Sequence, residues 1–134
     1  MSTELIRSYY DAFNRQDYAG MLAAVADDVA HDVNQGAREV GKEKFAAFLA
    51  RMDAAYREQL EDLVILADPS GRRFAAEFTV LGTYLKADPG FPEAHGQQYR
   101  LPAGAFFEVD AGKIRRVTTY YNLEDWLAQV RKAP

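Results

Sequence analysis

The spacing of the apolar residues changes near Glu61, and this change is the feature that most limits how the chain can fold. Before this point, apolar residues recur at helical spacing, as in residues 6–13 and 45–56. After it, they alternate along the chain, most regularly in residues 72–85, as in a strand with one buried face. Helices followed by antiparallel strands predict an α+β fold, with the helices packed on one face of a sheet.

Local signals place the individual elements within this order. Ser2 or Thr3 followed by Glu4 is typical of a helix N-terminus, and Asp17 can cap a second, short helix. Gly82 lies inside the longest strand pattern and predicts a bulge or bend. The predicted elements are two helices behind these caps, a strand over 29–33, a helix over 42–56, strands over 63–67, 72–85, 99–109 and 113–121, a loop over 86–98, and a C-terminal helix capped by Asn122.

Length and composition indicate a single domain over residues 1–134, with one core and no repeat or linker. The net charge of −4, with acidic and basic residues mixed along the chain, disfavours binding to nucleic acid. The absence of cysteine excludes disulfides and thiolate chemistry. No segment has the pattern of a secretory signal or the length of a membrane span, so a cytoplasmic protein without nucleic-acid or membrane partners is expected.

The predicted sheet has to cover three helices while carrying a bulge, so it must curve strongly. A curved sheet closed by helices forms a cone with an apolar interior. Concave apolar interiors are the usual place for small-ligand sites, so the sequence predicts an internal pocket for a small hydrophobic molecule.

The segment VAHDVNQG, residues 29–36, places acid–base side chains in an apolar run. Side chains alternate along a strand, so Asp32 and Asn34 share one face while His31 shares the other with Val29 and Val33. If the valines face the core, His31 enters the pocket and Asp32 meets solvent. In the opposite orientation Asp32 enters. In a regular strand, the side chains of His31 and Asp32 cannot both point into one cavity.

Three strings in the chain resemble the NTF2-like superfamily, in its SnoaL-like and ketosteroid-isomerase-related branch. They are YYDAFNRQDYAGMLAAVADDVAHD, GKEKFAAFLA and FFEVDAGKIRRVTTYYNLEDWLAQV, and together they cover most of the chain apart from the middle loop. The resemblance implies a cystatin-like cone, in which a strongly curved antiparallel sheet wraps around three helices and encloses a pocket. It also implies a homodimer through the sheet face and chemistry that needs no cofactor or metal.

The resemblance further implies roles for individual residues. The general base of the isomerases, an aspartate just after the second helix, corresponds to Asp32, which favours the orientation with Asp32 inward. Their oxyanion donor on the first helix corresponds to Tyr9. A second donor of the isomerases falls at Ala105, and an acid of the related polyketide cyclases falls at Asn122. Neither residue can replace the acid that those reactions use.

Other residues are expected to line the pocket and contact the ligand. Asn122 either positions the substrate or is only an N-cap completed by Asp125. Tyr121 and Trp126 belong either to the pocket wall or to helix packing. The ligand-contacting candidates are His31, Asn34, Ala105, Phe107, Val117, Thr119, Tyr121, Asn122 and Trp126, with no metal ligand among them.

Two functions follow from these observations. The first is a cofactor-independent acid–base enzyme, an isomerase or aldol-type cyclase, that acts on a small hydrophobic carbonyl compound with Asp32 as base and Tyr9 as oxyanion donor. The second is a domain that binds a hydrophobic ligand or dimerises without catalysis, which the losses at Ala105 and Asn122 favour.

Overall fold

The fold is seen in a computed structural model, which describes residues 3–132. Thr3 precedes the first helix without a side-chain capping bond, and Ser2 lies outside the described residues. The elements are α1 (Glu4–Asn14), α2 (Tyr18–Ala23), β1 (Val25–Asp32), β2 (Arg38–Val40), α3 (Lys42–Ala55), β3 (Tyr56–Ala67), β4 (Arg73–Tyr84), β5 (Gln97–Asp110), β6 (Lys113–Tyr121) and α4 (Leu123–Lys132). None of the described helices is long and apolar enough to cross a membrane.

The strands form one curled sheet in the order β2-β1-β6-β5-β4-β3. The predicted α+β cone, with helices packed against the sheet, is confirmed. The expectation of a purely antiparallel sheet is wrong for one pair, because β1 and β6 run parallel. The chain returns to β1 only with its last strand, after a long connection, and such a connection permits parallel pairing.

Strand β3 begins much earlier than the sequence pattern predicted. It follows α3 directly at Tyr56, whereas the apolar alternation suggested a start near Leu63. The first half of β3 carries charged residues because β3 is an edge strand with one face in solvent. Its register against β4 shifts between Glu61 and Val64, where Asp62 has a φ of 57°. The bulge predicted at Gly82 therefore lies in β3 instead.

Helix α1 closes one side of the cone by packing aromatic rings on the sheet. Tyr10 contacts Phe78 and Phe107, with ring centroids 5.1 and 5.8 Å apart. Ile6 is fully buried on the same helix. This packing joins α1 to the inner faces of β4 and β5 and forms the main core.

The loop between β4 and β5 folds back over the other end of the cone. The Tyr84 hydroxyl donates to the Pro92 carbonyl at 2.7 Å and accepts from the Asp88 amide at 3.0 Å. Phe91 packs edge-on against Trp126 of α4, with centroids 5.5 Å apart. The segment that the sequence indicated as an irregular loop is thus tied to the sheet and to α4.

Candidate functional site

Strand β1 turns His31, not Asp32, towards the interior. His31 is 4% exposed and lies edge-on against Phe45 and Phe48 of α3, with centroids 5.0 and 4.4 Å away. Val29, on the same face of the strand, is fully buried. The expected orientation with Asp32 inward is therefore wrong, because burying the valine and histidine face against α3 turns the aspartate to the outer face.

Asp32 is held on that outer face by residues of the neighbouring strands. Arg38 donates two hydrogen bonds to its carboxylate at 2.6 and 3.0 Å, and the Thr118 hydroxyl donates at 2.5 Å. The hydrogen bonds from Arg38, assisted by Thr118, lower the pKa of Asp32 to about 2. A carboxylate stabilised in this way is a weaker base than a free aspartate, so its surroundings argue against Asp32 as the general base.

Tyr9 lies in the core between α1 and the sheet. It is 4% exposed, and its ring packs edge-on against Tyr10 and Phe107, with centroids 5.2 and 5.8 Å apart. Burial raises the pKa of the Tyr9 phenol. Because Asp32 points to the outer face, the fold does not bring these two predicted catalytic residues together, and a donor role for Tyr9 stays a prediction.

The remaining candidates divide between core and interior surface. Asn122 is the N-cap of α4, because its side-chain oxygen accepts a hydrogen bond from the Asp125 amide at 3.1 Å. This agrees with the second of the two roles predicted for it. Trp126 is buried in the packing between α4 and the sheet. Along the inner faces of β5 and β6, Ala105, Phe107 and Val117 are buried, whereas Thr119 and Tyr121 are half-buried.

Two of the predicted ligand contacts carry buried polar atoms without a partner among residues 3–132. The Asn34 side-chain oxygen accepts from the Tyr121 amide at 3.4 Å, while its Nδ2 group is buried and unpaired. The Nδ1 atom of His31 is also buried and unpaired, and burial lowers the pKa of its imidazole. Unpaired buried polar atoms are uncommon in folded proteins, so these are places where a ligand could supply the missing partner.

A carboxylate that the sequence did not single out lies on the inner face of β3. Glu58 pairs in register with Gly82 of β4, and Gly82 pairs with Tyr99 of β5. The Tyr99 ring lies across the bare backbone of Gly82, and its hydroxyl donates to Glu58 Oε2 at 2.5 Å. A β-carbon on Gly82 would stand 2.1 Å from the Tyr99 ring, so this reach across one strand requires glycine.

The surroundings of Glu58 make it a stronger base than an ordinary glutamate. Burial raises the pKa of its carboxyl group, and the hydrogen bond from Tyr99 offsets part of that rise. Tyr99 is the one described residue that bonds this carboxylate, and it uses Oε2. Oε1 is thus left to accept a proton.

A second carboxylate, Asp88, lies at the same end of the cone. The Tyr56 hydroxyl donates to Asp88 Oδ2 at 2.9 Å, and Tyr56 and Tyr99 both pack edge-on against Trp126 with centroids 6.0 Å away. Burial raises the pKa of the Tyr121 phenol, the Asn34 side chain offsets part of that rise, and Glu58 and Asp88 add to it. Tyr121 therefore lies within the electrostatic reach of both carboxylates.

One sequence signal could have located Glu58. Tyr56, Glu58 and Leu60 share one parity in the segment YREQLE and face inward, and beyond the register shift the inward positions move to Leu63 and Ile65. A glutamate on the inward side of a strand is unusual enough to mark a candidate site. The signal was hidden because the segment lacks an apolar alternation and follows the helix without a turn.

Glu58, Thr119 and Tyr121 face inward by register and are only half-buried. Two hollows, of about 250 and 300 Å³, open elsewhere on the sheet, beside Phe106 and beside Arg72, and neither is lined by these residues. In the described part of the chain, no group of three or more His, Asp or Glu side chains is arranged to hold a metal ion.

Comparisons with known proteins agree with this architecture. Residues 6–117 match the SnoaL-like domain. Crystal structures of a "putative polyketide cyclase" from Pseudomonas putida KT2440 and of another so described from Xanthomonas campestris pv. campestris are 55% and 56% identical to this chain. The first covers 96% of both chains with a TM-score of 0.95, and the second covers 96% of this chain and 95% of its own with a TM-score of 0.93.

A more distant structure shows the same fold. An NTF2-like protein of unknown function from Burkholderia pseudomallei K96243 is 20% identical, with a TM-score of 0.76 over 97% of this chain and 98% of its own. A comparison with curated proteins gave no match. The domain match spans most of the chain, and this chain therefore belongs to the SnoaL-like family of the NTF2-like superfamily.

Proposed function

We propose that this protein is a cofactor-independent acid–base enzyme, a cyclase or isomerase, that acts on a small hydrophobic carbonyl compound inside the cone. The observation that carries the proposal is the Glu58 carboxylate, which faces the interior, is held by Tyr99 and has a raised pKa. Two relatives more than 50% identical are each described as a "putative polyketide cyclase", which supports the same reaction class.

In the proposed reaction, Glu58 removes a proton from the carbon next to the substrate carbonyl. The carbon–hydrogen bond breaks, the proton moves to Oε1, and the electron pair forms the carbon–carbon double bond of an enolate. An isomerase returns the proton to another carbon. In an aldol-type cyclase the enolate carbon attacks a second carbonyl of the same molecule, and the resulting alkoxide takes the proton back from Glu58. A carboxylate is a poor base for this step in water, and burial makes it better by destabilising its charged form.

The negative oxygen of the enolate needs hydrogen-bond donors, and the interior offers two. Asn34 Nδ2 is buried with no acceptor in hydrogen-bond geometry among the described residues, and it lies close enough to the Tyr121 phenol to lower the pKa of that group. A donor placed at a developing oxyanion contributes roughly 3–4 kcal/mol to transition-state stabilisation. We assign the carbonyl oxygen of the substrate to this pair, which takes the role that the resemblance had given to Tyr9.

The proposal can be tested without the natural substrate. β-Tetralone is a hydrophobic ketone with acidic α-hydrogens, and β-naphthol is an aromatic mimic of its enol. We expect the protein to accelerate exchange of the ketone's α-hydrogens in deuterated water, followed by proton NMR. Bound β-naphthol should lose its proton to Glu58, so its ultraviolet absorbance should change to that of naphtholate at a pH where free naphthol is neutral.

The alternative of a non-catalytic binding domain gives a different result. β-Naphthol would then bind in its neutral form with an affinity that does not change with pH, and β-tetralone would exchange at its uncatalysed rate. That combination of results would contradict the enzyme proposal.

We also propose that the protein forms a homodimer through the outer face of the sheet. Four large apolar side chains are exposed there, namely Val64 and Leu66 on β3, Phe106 on β5 and Tyr120 on β6. The Phe106 and Tyr120 rings pack together, with centroids 6.0 Å apart. Exposed apolar patches of this kind usually mark protein–protein interfaces.

An arginine in this patch should prevent dimerisation, because its charge would have to be buried unpaired. We expect Leu66→Arg to be monomeric by light scattering coupled to size-exclusion chromatography. The control Leu85→Arg changes an exposed leucine that lies outside the patch, in the loop after β4, and should remain dimeric. A monomeric wild-type protein, or a dimeric Leu66→Arg variant, would contradict the proposed interface.

A further inference from the structure

Asp88 is a buried carboxylate that the proposed reaction does not use. It is 5% exposed, and its Oδ2 accepts a hydrogen bond from the Tyr56 hydroxyl at 2.9 Å. Its other oxygen, Oδ1, is buried and accepts no hydrogen bond from any residue between 3 and 132. A buried carboxylate oxygen without a donor is unfavourable, because it has lost its water without gaining a partner.

The neighbouring cation does not fill this gap. The nearest nitrogen of Arg51 is 3.8 Å from Oδ1, beyond hydrogen-bond distance, and the Arg51 side chain is 54% exposed. The Asp88 backbone has a structural role, because it begins the turn Asp88-Pro89-Gly90-Phe91 and its carbonyl accepts a hydrogen bond from the Phe91 amide at 3.0 Å. This turn does not require the Asp88 carboxylate to be buried.

Asp88 and Glu58 face the same part of the interior. Their phenol partners, Tyr56 and Tyr99, pack on the same Trp126 ring. Both carboxylates also act on the Tyr121 phenol, beside the unpaired Asn34 amide. The interior thus offers a buried donor, Asn34 Nδ2, and a buried acceptor, Asp88 Oδ1, neither of which has a hydrogen-bond partner among residues 3–132.

We propose that Asp88 Oδ1 binds a hydroxyl group of the substrate. The ligand is then a hydrophobic carbonyl compound that carries a hydroxyl group away from its reacting carbonyl. Its carbonyl oxygen accepts from Asn34 and Tyr121, while its hydroxyl donates to Asp88. Placing the carbonyl there rests on the proposed function, but the pairing of a hydroxyl group with Asp88 does not.

The binding of naphthols tests directly whether Asp88 Oδ1 binds a hydroxyl group. We compare β-naphthol with dihydroxynaphthalenes that carry the second hydroxyl group on the other ring, measuring affinity by calorimetry. At least one of the diols should bind about tenfold more tightly than β-naphthol to the wild-type protein, because its second hydroxyl fills the empty site on a charged acceptor. If no diol gains affinity, the inference is wrong, and this comparison needs no variant.

Two variants locate the gain at Asp88. In Asp88→Asn, the amide oxygen can accept from Tyr56, which leaves an NH₂ group in place of the acceptor Oδ1. The diol hydroxyl could then only accept from this neutral NH₂ group, so most of its gain over β-naphthol should disappear. Tyr56→Phe removes the hydroxyl from the opposite oxygen and should keep the gain. A gain that persists in Asp88→Asn, or that disappears equally in Tyr56→Phe, would overturn the assignment.

Failure of this inference can be distinguished from failure of the proposed function. If Glu58→Gln keeps the exchange activity, the proposed base is wrong, while the diol comparison still decides the role of Asp88. If Glu58→Gln abolishes exchange and the diol shows no gain, only the Asp88 assignment falls. If no naphthol binds at all, both are overturned.

Discussion

The Glu58→Gln variant is expected to lose α-hydrogen exchange of β-tetralone by about 10²–10⁴-fold, the usual contribution of a general base. Glutamine keeps an oxygen that can accept from Tyr99, so the inner face of the sheet should keep its shape. Binding of β-naphthol should persist, because the Asn34 and Tyr121 donors are unchanged. NMR exchange rates and calorimetry measure the two effects separately.

The same variant should become more stable than the wild type as the pH rises. Since burial raises the pKa of Glu58, the folded state keeps a proton that the unfolded state has already released above about pH 4. Wild-type stability therefore falls as the pH rises from the ordinary glutamate pKa through the raised one. Glu58→Gln does not titrate, so the difference in unfolding free energy should grow across this interval. Equal stability at every pH would contradict the burial of the charge.

Asp32→Asn is the matched control, because it changes the carboxylate that faces outward. Exchange activity should remain, since Asp32 does not reach the interior. The variant should lose roughly 1 kcal/mol or less of stability above pH 4, the value of a partly exposed ion pair. This loss should vanish as the pH falls towards about 2, where the pKa of Asp32 lies. Loss of turnover in this variant, with Glu58→Gln still active, would restore the role that the resemblance gave to Asp32.

Gly82→Ala should have the second largest effect. The added β-carbon would lie 2.1 Å from the Tyr99 ring, so the ring must leave its position across β4. We expect a loss of about 1–3 kcal/mol in unfolding free energy from overpacking. The Tyr99 hydroxyl should also lose contact with Glu58, which removes a hydrogen bond that lowers the carboxyl pKa. The low-pH limb of the exchange activity should therefore move to higher pH.

Variants at Tyr99 separate the two parts of this effect. Tyr99→Phe keeps the ring and removes the hydroxyl, so it should reproduce the shift of the pH profile with a smaller loss of stability. In a Tyr99→Ala background the clash is gone, so Gly82→Ala should cost little further stability. An equal cost of Gly82→Ala with and without the Tyr99 ring would show that the glycine serves the backbone of β4 and not the reach of Tyr99.

The spacing of the apolar residues predicted the main helices and strands, because that spacing reflects which face of each element is buried. The helix around Tyr10, the closing hairpin of β5 and β6 and the Asn122 cap all follow from residues close in the sequence. The orientation of β1 could not be predicted in this way, since both parities of its alternation are self-consistent. It is decided by the packing of Val29 and His31 against α3, and Asp32 then meets Arg38 and Thr118 of strands that are adjacent only in the folded sheet.

The candidate site was harder to predict because its partners are far apart in the chain. Glu58 and Tyr99 are 41 residues apart, and they meet only because Gly82 between them has no side chain. A glycine in a strand is compatible with either a bulge or a close approach, and only the sheet register distinguishes these. Asn34 was predicted as a ligand contact because it shares the parity of Asp32, which faces outward. Asn34 lies beyond the end of β1, and its bond with the Tyr121 amide and its unpaired Nδ2 group appear only in the folded chain.

The account depends most on the basicity of Glu58, which can be measured by carbon-13 NMR of its side-chain carboxyl group. The signal is assigned by its absence in Glu58→Gln and followed as the pH is varied. We predict a pKa above the ordinary glutamate value of about 4.3, and a higher one still in Tyr99→Phe. A signal that titrates at the ordinary value and does not respond to Tyr99→Phe would contradict Glu58 as the base.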